Sequence, residues 1–182
     1  MNYIRPNVLG YHSNDYKKIN NFMTNKNLII HEDTTWLGTG MYFWDNISNA
    51  YYWKNEKIRK NESKNVKIIK ANLYLDNMLD LTNRDTLEKI TTLYERLSTK
   101  DSIRFKNIAK NHLGKKLDLF FEMFPEIFNY TVIKALGKYK KNLISTFDFF
   151  QDTNICIENK IIYSVKKIEY IVNPEIMDDL EV

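Results

Sequence analysis

An α+β fold with a helical insert is predicted by three features of this 182-residue chain. Strand-type runs gather toward both ends, apolar residues recur at helical spacing from Asp85 to Lys140, and no strand–helix–strand alternation runs through the sequence. A sheet core interrupted by helices fits that order better than a doubly wound parallel sheet. The length suits one domain with a substantial core, so residues 1–182 read as a single domain and 84–140 as an insert within it.

The elements follow in order. Val8-Leu9-Gly10-Tyr11-His12 reads as a first strand, ending in the cap-type residues Ser13, Asn14 and Asp15. Tyr16, Ile19, Phe22 and Met23 then mark a short amphipathic helix. Leu28-Ile29-Ile30 has the composition of a short strand. In Trp36-Leu37-Gly38-Thr39-Gly40-Met41-Tyr42-Phe43-Trp44, two glycines feed an aromatic strand, in a chain holding only 5 glycines. Asp45 or Ser48 can cap the helix that carries Ala50, Tyr51, Tyr52 and Trp53. Residues 66–75 form the clearest strand, and Leu79-Asp80-Leu81 a further extended piece.

Four apolar stripes of helical period come next. They are Leu87, Ile90, Leu93, Tyr94 and Leu97; Phe105, Ile108, Ala109 and His112; Leu117, Phe120, Phe121 and Phe124; and Ile133, Leu136 and Tyr139. Gly114 and Pro125 punctuate their joins. Strands are expected again over 143–147, 153–158 and 165–172.

Composition narrows the function classes. Apolar residues make up 43% and charged residues 27%, which is ordinary for a globular chain. Without an apolar run of about 18 residues or a signal-type start, the sequence predicts a cytoplasmic protein with no membrane partner. Its single cysteine, Cys156, excludes an internal disulfide framework and reads as core packing. The net charge of +4 is too small to declare a nucleic-acid binder. Lys54, Lys57, Arg59, Lys60, Lys64, Lys67 and Lys70 crowd one stretch, either as a solvated face or as a patch for a phosphate-bearing partner.

No Cys/His set has metal-ligand spacing, so no metal is expected, and the Gly-x-Gly lacks the third glycine of a dinucleotide fingerprint. His31 and His112 read as structural residues. His12 stands apart because it ends a strand beside a helix cap.

Together, Tyr11-His12-Ser13, the Trp36–Trp44 segment spelled out above and Ser48-Asn49-Ala50-Tyr51-Tyr52 resemble the NAD-binding core of ADP-ribosyltransferases of the diphtheria-toxin and poly(ADP-ribose)-polymerase type. The version here is most similar to small bacterial members, some of them toxin–antitoxin or phage-defence enzymes. Residues 73–81 and Thr153-Asn154-Ile155-Cys156-Ile157-Glu158-Asn159 resemble further family motifs, so the likeness spans roughly 8–82 and 143–172. The helical stretch 84–140 matches no pattern of that family.

The resemblance implies a split mixed β-sheet and a mono-ADP-ribosyltransferase using NAD as substrate on a protein or nucleic-acid acceptor. Tyr42 would stack on the nicotinamide, with Tyr52 or Tyr51 on its other face. His12 would bond the adenosine ribose, and the Ser13 backbone and Ser48 hydroxyl the nicotinamide amide. Gly38 and Gly40 would let the main chain approach the ligand. Asn154 falls where the best-studied members carry Glu. An amide can hold a ribose hydroxyl but cannot take a proton as a carboxylate does. Either Asn154 suffices, or Asp148, Asp152 or Glu158 serves instead, or the site binds NAD or ADP-ribose without turnover. NAD glycohydrolase activity and a purely binding module are the alternative functions. An antitoxin protein is the further partner the family implies.

Overall fold

The structure, a computed structural model, describes residues 4–32, 34–60, 62–100, 108, 112–138 and 159–177. Among these, the fold is α+β: seven strands make one mixed sheet in the order β4-β5-β6-β2-β1-β3-β7, flanked by four helices. The strands are β1 (Asn7–Asp15), β2 (Met41–Trp44), β3 (Val66–Tyr74), β4 (Met78–Asp80), β5 (Val132–Lys138), β6 (Asn159–Val165) and β7 (Ile171–Ile176). The helices are α1 (Tyr16–Asn25), α2 (Ile47–Arg59), α3 (Arg84–Lys100) and α4 (Leu113–Met123). Only β4 and β5 run parallel; every other neighbouring pair is antiparallel.

Strand alternation sorts the core into two layers. Met41 and Phe43 of β2, Ile69, Ala71 and Leu73 of β3, and Tyr163 and Val165 of β6 face α1, which contributes Ile19 and Phe22. Trp44, Ile68, Ile133 and Ile162 point the other way, toward Ala50 of α2 and Leu117 of α4. A third cluster packs the α3 stripe (Ile90, Leu93, Tyr94, Leu97) on Leu119, Phe120 and Phe128. There the rings of Phe120 and Phe128 stack with centroids 4.9 Å apart.

Several elements depart from the sequence reading. Asp15 caps α1 as expected, accepting from the Lys17 amide at 2.8 Å. The cap of α2 is Asn46, not Asp45 or Ser48, its side chain accepting from the Asn49 amide at 3.0 Å. Leu28-Ile29-Ile30 is not a strand, because the backbone pairs only at His31, with Gly40. Ile133 and Leu136 are not helical either: residues 132–138 are β5, laddered between β4 and β6, and Tyr139 lies outside the described residues. The strand expected over 165–172 divides into the end of β6, a 3-10 turn at Ile168–Tyr170 and β7. The strands expected over 143–147 and 153–158, with Cys156, lie outside the described residues, as do Phe105 and Ala109.

The sheet carries one local opening. β1 pairs fully with β3, from Asn7↔Tyr74 to Asp15↔Val66, yet meets β2 through Tyr11↔Trp44. Beyond that pair the two strands part.

Candidate functional site

Where β1 and β2 part, the His12 imidazole stands in for the missing backbone ladder. Its Nδ1 lies 2.7 Å from the Tyr42 carbonyl oxygen, across 30 residues of sequence. A carbonyl can only accept, so Nδ1 carries the proton and Nε2 is the acceptor, here receiving the Asn14 amide at 3.3 Å. His12 is 7% exposed, and burial pushes its pKa down to about 4, with Lys57, His31 and Lys18 adding in the same direction against the bond to Tyr42. At neutral pH it is therefore a fixed, uncharged hydrogen-bonding group.

A cavity of about 300 Å³ opens beside this bond. His12, Ser13 and Asn14 from β1 form one side, and Tyr42 and Trp44 from β2 another. Trp36 and Trp53 add aromatic wall, and His31 meets Tyr42 edge-on at 5.8 Å. All 3 tryptophans of the chain thus converge here. Trp44 and Trp53 stack on each other at 5.7 Å and 11°. Behind them the Lys160 ammonium lies 5.0 Å from the Trp44 centroid, 5.9 Å from Trp36 and 6.0 Å from Trp53. Lys160 is 6% exposed, so its charge sits within the wall rather than in the cavity mouth.

The mouth is rimmed by Lys18 of α1 and by Lys57 and Lys60 at the end of α2, with Glu56 and Glu62 among them. The basic stretch seen in sequence does not form one face. Arg59 is paired with Glu56 and Lys70 with Glu175, whereas Lys57 and Lys60, each 4.0 Å from the Glu62 carboxylate, line the cavity with Lys18.

Tyr42 is held from below by its own approach loop. Its hydroxyl accepts from the Leu37 amide at 3.0 Å and donates to the Gly38 carbonyl at 2.7 Å. The loop is tied in turn by Lys166, whose ammonium donates to the carbonyls of Leu37 and Thr39. Burial lowers the Lys166 pKa to about 8, opposed by Asp118 at 4.0 Å.

The other residues expected at the site fall as follows. Ser13 lines the cavity, and His12 and Tyr42 meet as described. Gly38 and Gly40 do not line it. Gly38 has φ +73°, and a Cβ there would lie 2.2 Å from Asp118 Oδ1; a Cβ at Gly40 would lie 2.4 Å from Ser164 Oγ. At both glycines the space a Cβ would take is filled by protein atoms. Ser48 is exposed on α2, Tyr51 packs into the core beside Trp44, and Tyr52 sits edge-on to Trp53 outside the cavity. Trp53 and Trp44 take the wall positions expected of the tyrosines. Asn154, with Asp148, Asp152 and Glu158, lies outside the described residues.

His31 is a residue that sequence reasoning set aside, since nothing local marks it; only its bridge to Gly40 brings it to Tyr42. His112 precedes α4 and supplies no side-chain cap bond. Among the described residues, no group of three or more His, Cys, Asp or Glu side chains is disposed to hold a metal ion, and no helix is long and apolar enough to cross a membrane.

Comparison with known proteins adds one relative. The chain is 27% identical to an uncharacterized protein of Methanocaldococcus jannaschii over 195 aligned positions, covering 93% of this chain and 89% of that protein. No family model matches it, and no solved structure does.

Proposed function

We propose that this protein is an NAD-dependent mono-ADP-ribosyltransferase acting on a macromolecular acceptor, protein or nucleic acid. The observation that carries the proposal is the His12–Tyr42 hydrogen bond at the head of a lysine-rimmed aromatic cavity. It joins two of the motifs on which the family resemblance rests. The residues present fit a dinucleotide by chemistry. Neutral His12 offers Nε2 as an acceptor for a ribose hydroxyl in exchange for the Asn14 amide it now receives, and Tyr42 and the tryptophans offer ring faces. Lys18, with Lys57 and Lys60 exchanging Glu62 for ligand, offers cations for a diphosphate. At about 300 Å³ the cavity is at the small end for small-molecule sites, roughly 300–1,000 Å³, so it suits the ring-and-sugar half of the dinucleotide with the remainder along the rim.

In the proposed reaction the bond from nicotinamide to its ribosyl carbon breaks and the bonding pair leaves with nicotinamide. An acceptor nucleophile then closes on that carbon and loses its proton. Asn154 remains the residue proposed to meet the reacting ribose. Trp53 or Trp44 replaces Tyr51 and Tyr52 as the candidate second ring against the nicotinamide.

Incubation with NAD labelled in its adenylate half, with and without cell lysate, tests the reading. Label on macromolecules together with nicotinamide release supports transfer. Release without label means hydrolysis, and binding without release means a binding module. Folded His12→Ala and Tyr42→Ala variants are expected to lose at least tenfold in turnover; full activity in both would sink the assignment.

A further inference from the structure

We infer that Asp118, on α4, is a positioning residue for Tyr42, so that this helix and the cavity are coupled through the loop 36–40. The Asp118 carboxylate accepts the Thr39 amide at 2.9 and 3.0 Å with its two oxygens, and the Thr39 hydroxyl at 3.0 Å. Thr39 is one residue beyond the Gly38 carbonyl that receives the Tyr42 hydroxyl, and two beyond the Leu37 amide that donates to it. Lys166, 4.0 Å from Asp118, donates to the carbonyls of Leu37 and Thr39. The 38–39 peptide, whose carbonyl receives the Tyr42 hydroxyl, is thus held at its amide by Asp118 of α4, and the peptides on either side of it are held at their carbonyls by Lys166. The start of the same helix adds a backbone tie, the Lys115 amide to the Thr34 carbonyl at 3.1 Å.

Gly38 gives the loop its backbone freedom at this point. Its φ of +73° is free for glycine, and the space a Cβ would take is filled by Asp118 itself. Removing the carboxylate therefore leaves the Thr39 amide unpaired beside the most permissive residue of the loop. The peptides on either side of Gly38 can then rotate to find new partners, and the Tyr42 hydroxyl loses its seat.

The consequence for ligand rests on the dinucleotide reading; the coupling itself does not. Tyr42 ring signals in ¹³C-tyrosine-labelled protein, assigned by their loss in Tyr42→Phe, test the coupling directly. Asp118→Ala is expected to shift them, and Asp118→Asn, which keeps one oxygen for the Thr39 amide, to leave them near the parent position. Thr39→Ala, which removes only the hydroxyl arm, carries the same test at smaller amplitude if Asp118→Ala does not fold.

NAD affinity measured by calorimetry is the second readout. A loss of about tenfold is expected in Asp118→Ala and in Tyr42→Phe, the size expected for one charge-assisted hydrogen bond. The double variant should lose no more than the worse single, as coupled residues do. An unmoved Tyr42 in folded Asp118→Ala, or losses that multiply, overturns the coupling. A parent protein that does not bind NAD, with Tyr42 still shifting in Asp118→Ala, removes the dinucleotide reading and leaves the coupling standing.

Discussion

His12 is a structural group of the sheet at the edge of the candidate site. Its Nδ1–H completes the sheet where β1 leaves β2, and its depressed pKa follows from being buried beside cations. The unfolded chain takes up this proton near pH 6.5, whereas the folded one resists until about 4. Between those values the unfolded state binds more protons, so stability falls as pH drops through that window, by about 3 kcal/mol in all. Urea unfolding at pH 7.5 and 4.5 should show this loss, and His12→Gln should remove most of the difference. Gly38 makes a second residue-scale prediction. Gly38→Ala must strain a left-handed backbone and displace Asp118, so it is expected to cost at least about 2 kcal/mol in urea unfolding. In the sequence this glycine was legible as a turn, but not its neighbour, because Asp118 lies 79 residues beyond Thr39 and the contact has no local signature.

At the scale of elements, strand and helix were separable where period and length agreed. β1, α1, β3 and α3 are close to their expected places because each has an unbroken apolar pattern. β5 was misread because Ile133 and Leu136 are three apart, a spacing that short strands can mimic. In the sheet they face opposite ways: Ile133 is 0% exposed and Leu136 51%. Ile133→Ala should therefore cost about 2–5 kcal/mol, whereas Leu136→Thr should change stability by less than about 0.5 kcal/mol. A helix would bury both, so equal losses in thermal or urea unfolding would contradict the strand. Leu28-Ile29-Ile30 shows the converse error. The composition is right for a strand, and Ile29 is buried while Ile30 is not, but no neighbouring strand pairs with it. Pairing is a property of the partner and cannot be read from the segment alone.

At the scale of the molecule, the candidate site was legible in outline. His12 and Tyr42 were singled out separately in the sequence, and the fold brings them together. The sequence placed Trp44 in an aromatic strand and Trp53 in a helix, and both line the cavity, Trp44 because strand alternation turns it to the same face as Tyr42. Tyr51 and Tyr52 were displaced from it by helix phase: α2 presents Trp53, Glu56, Lys57 and Lys60 to the cavity, the three-and-four spacing of one helical face. The basic stretch divides for the same reason, with Arg59 turned toward Glu56 and Lys70 toward Glu175.

The convergence of all 3 tryptophans on one cavity has an optical consequence. With 12 tyrosines passing excitation to them, ultraviolet fluorescence of the whole molecule is emitted almost entirely from the cavity wall. A planar ring stacking on Trp36, which is 37% exposed, would quench that emission, while binding elsewhere on the surface would leave it unchanged. Titration with NAD is accordingly expected to dim the native protein and to leave folded His12→Ala bright. The protein carries a built-in lamp at the one place where its chemistry is proposed to occur.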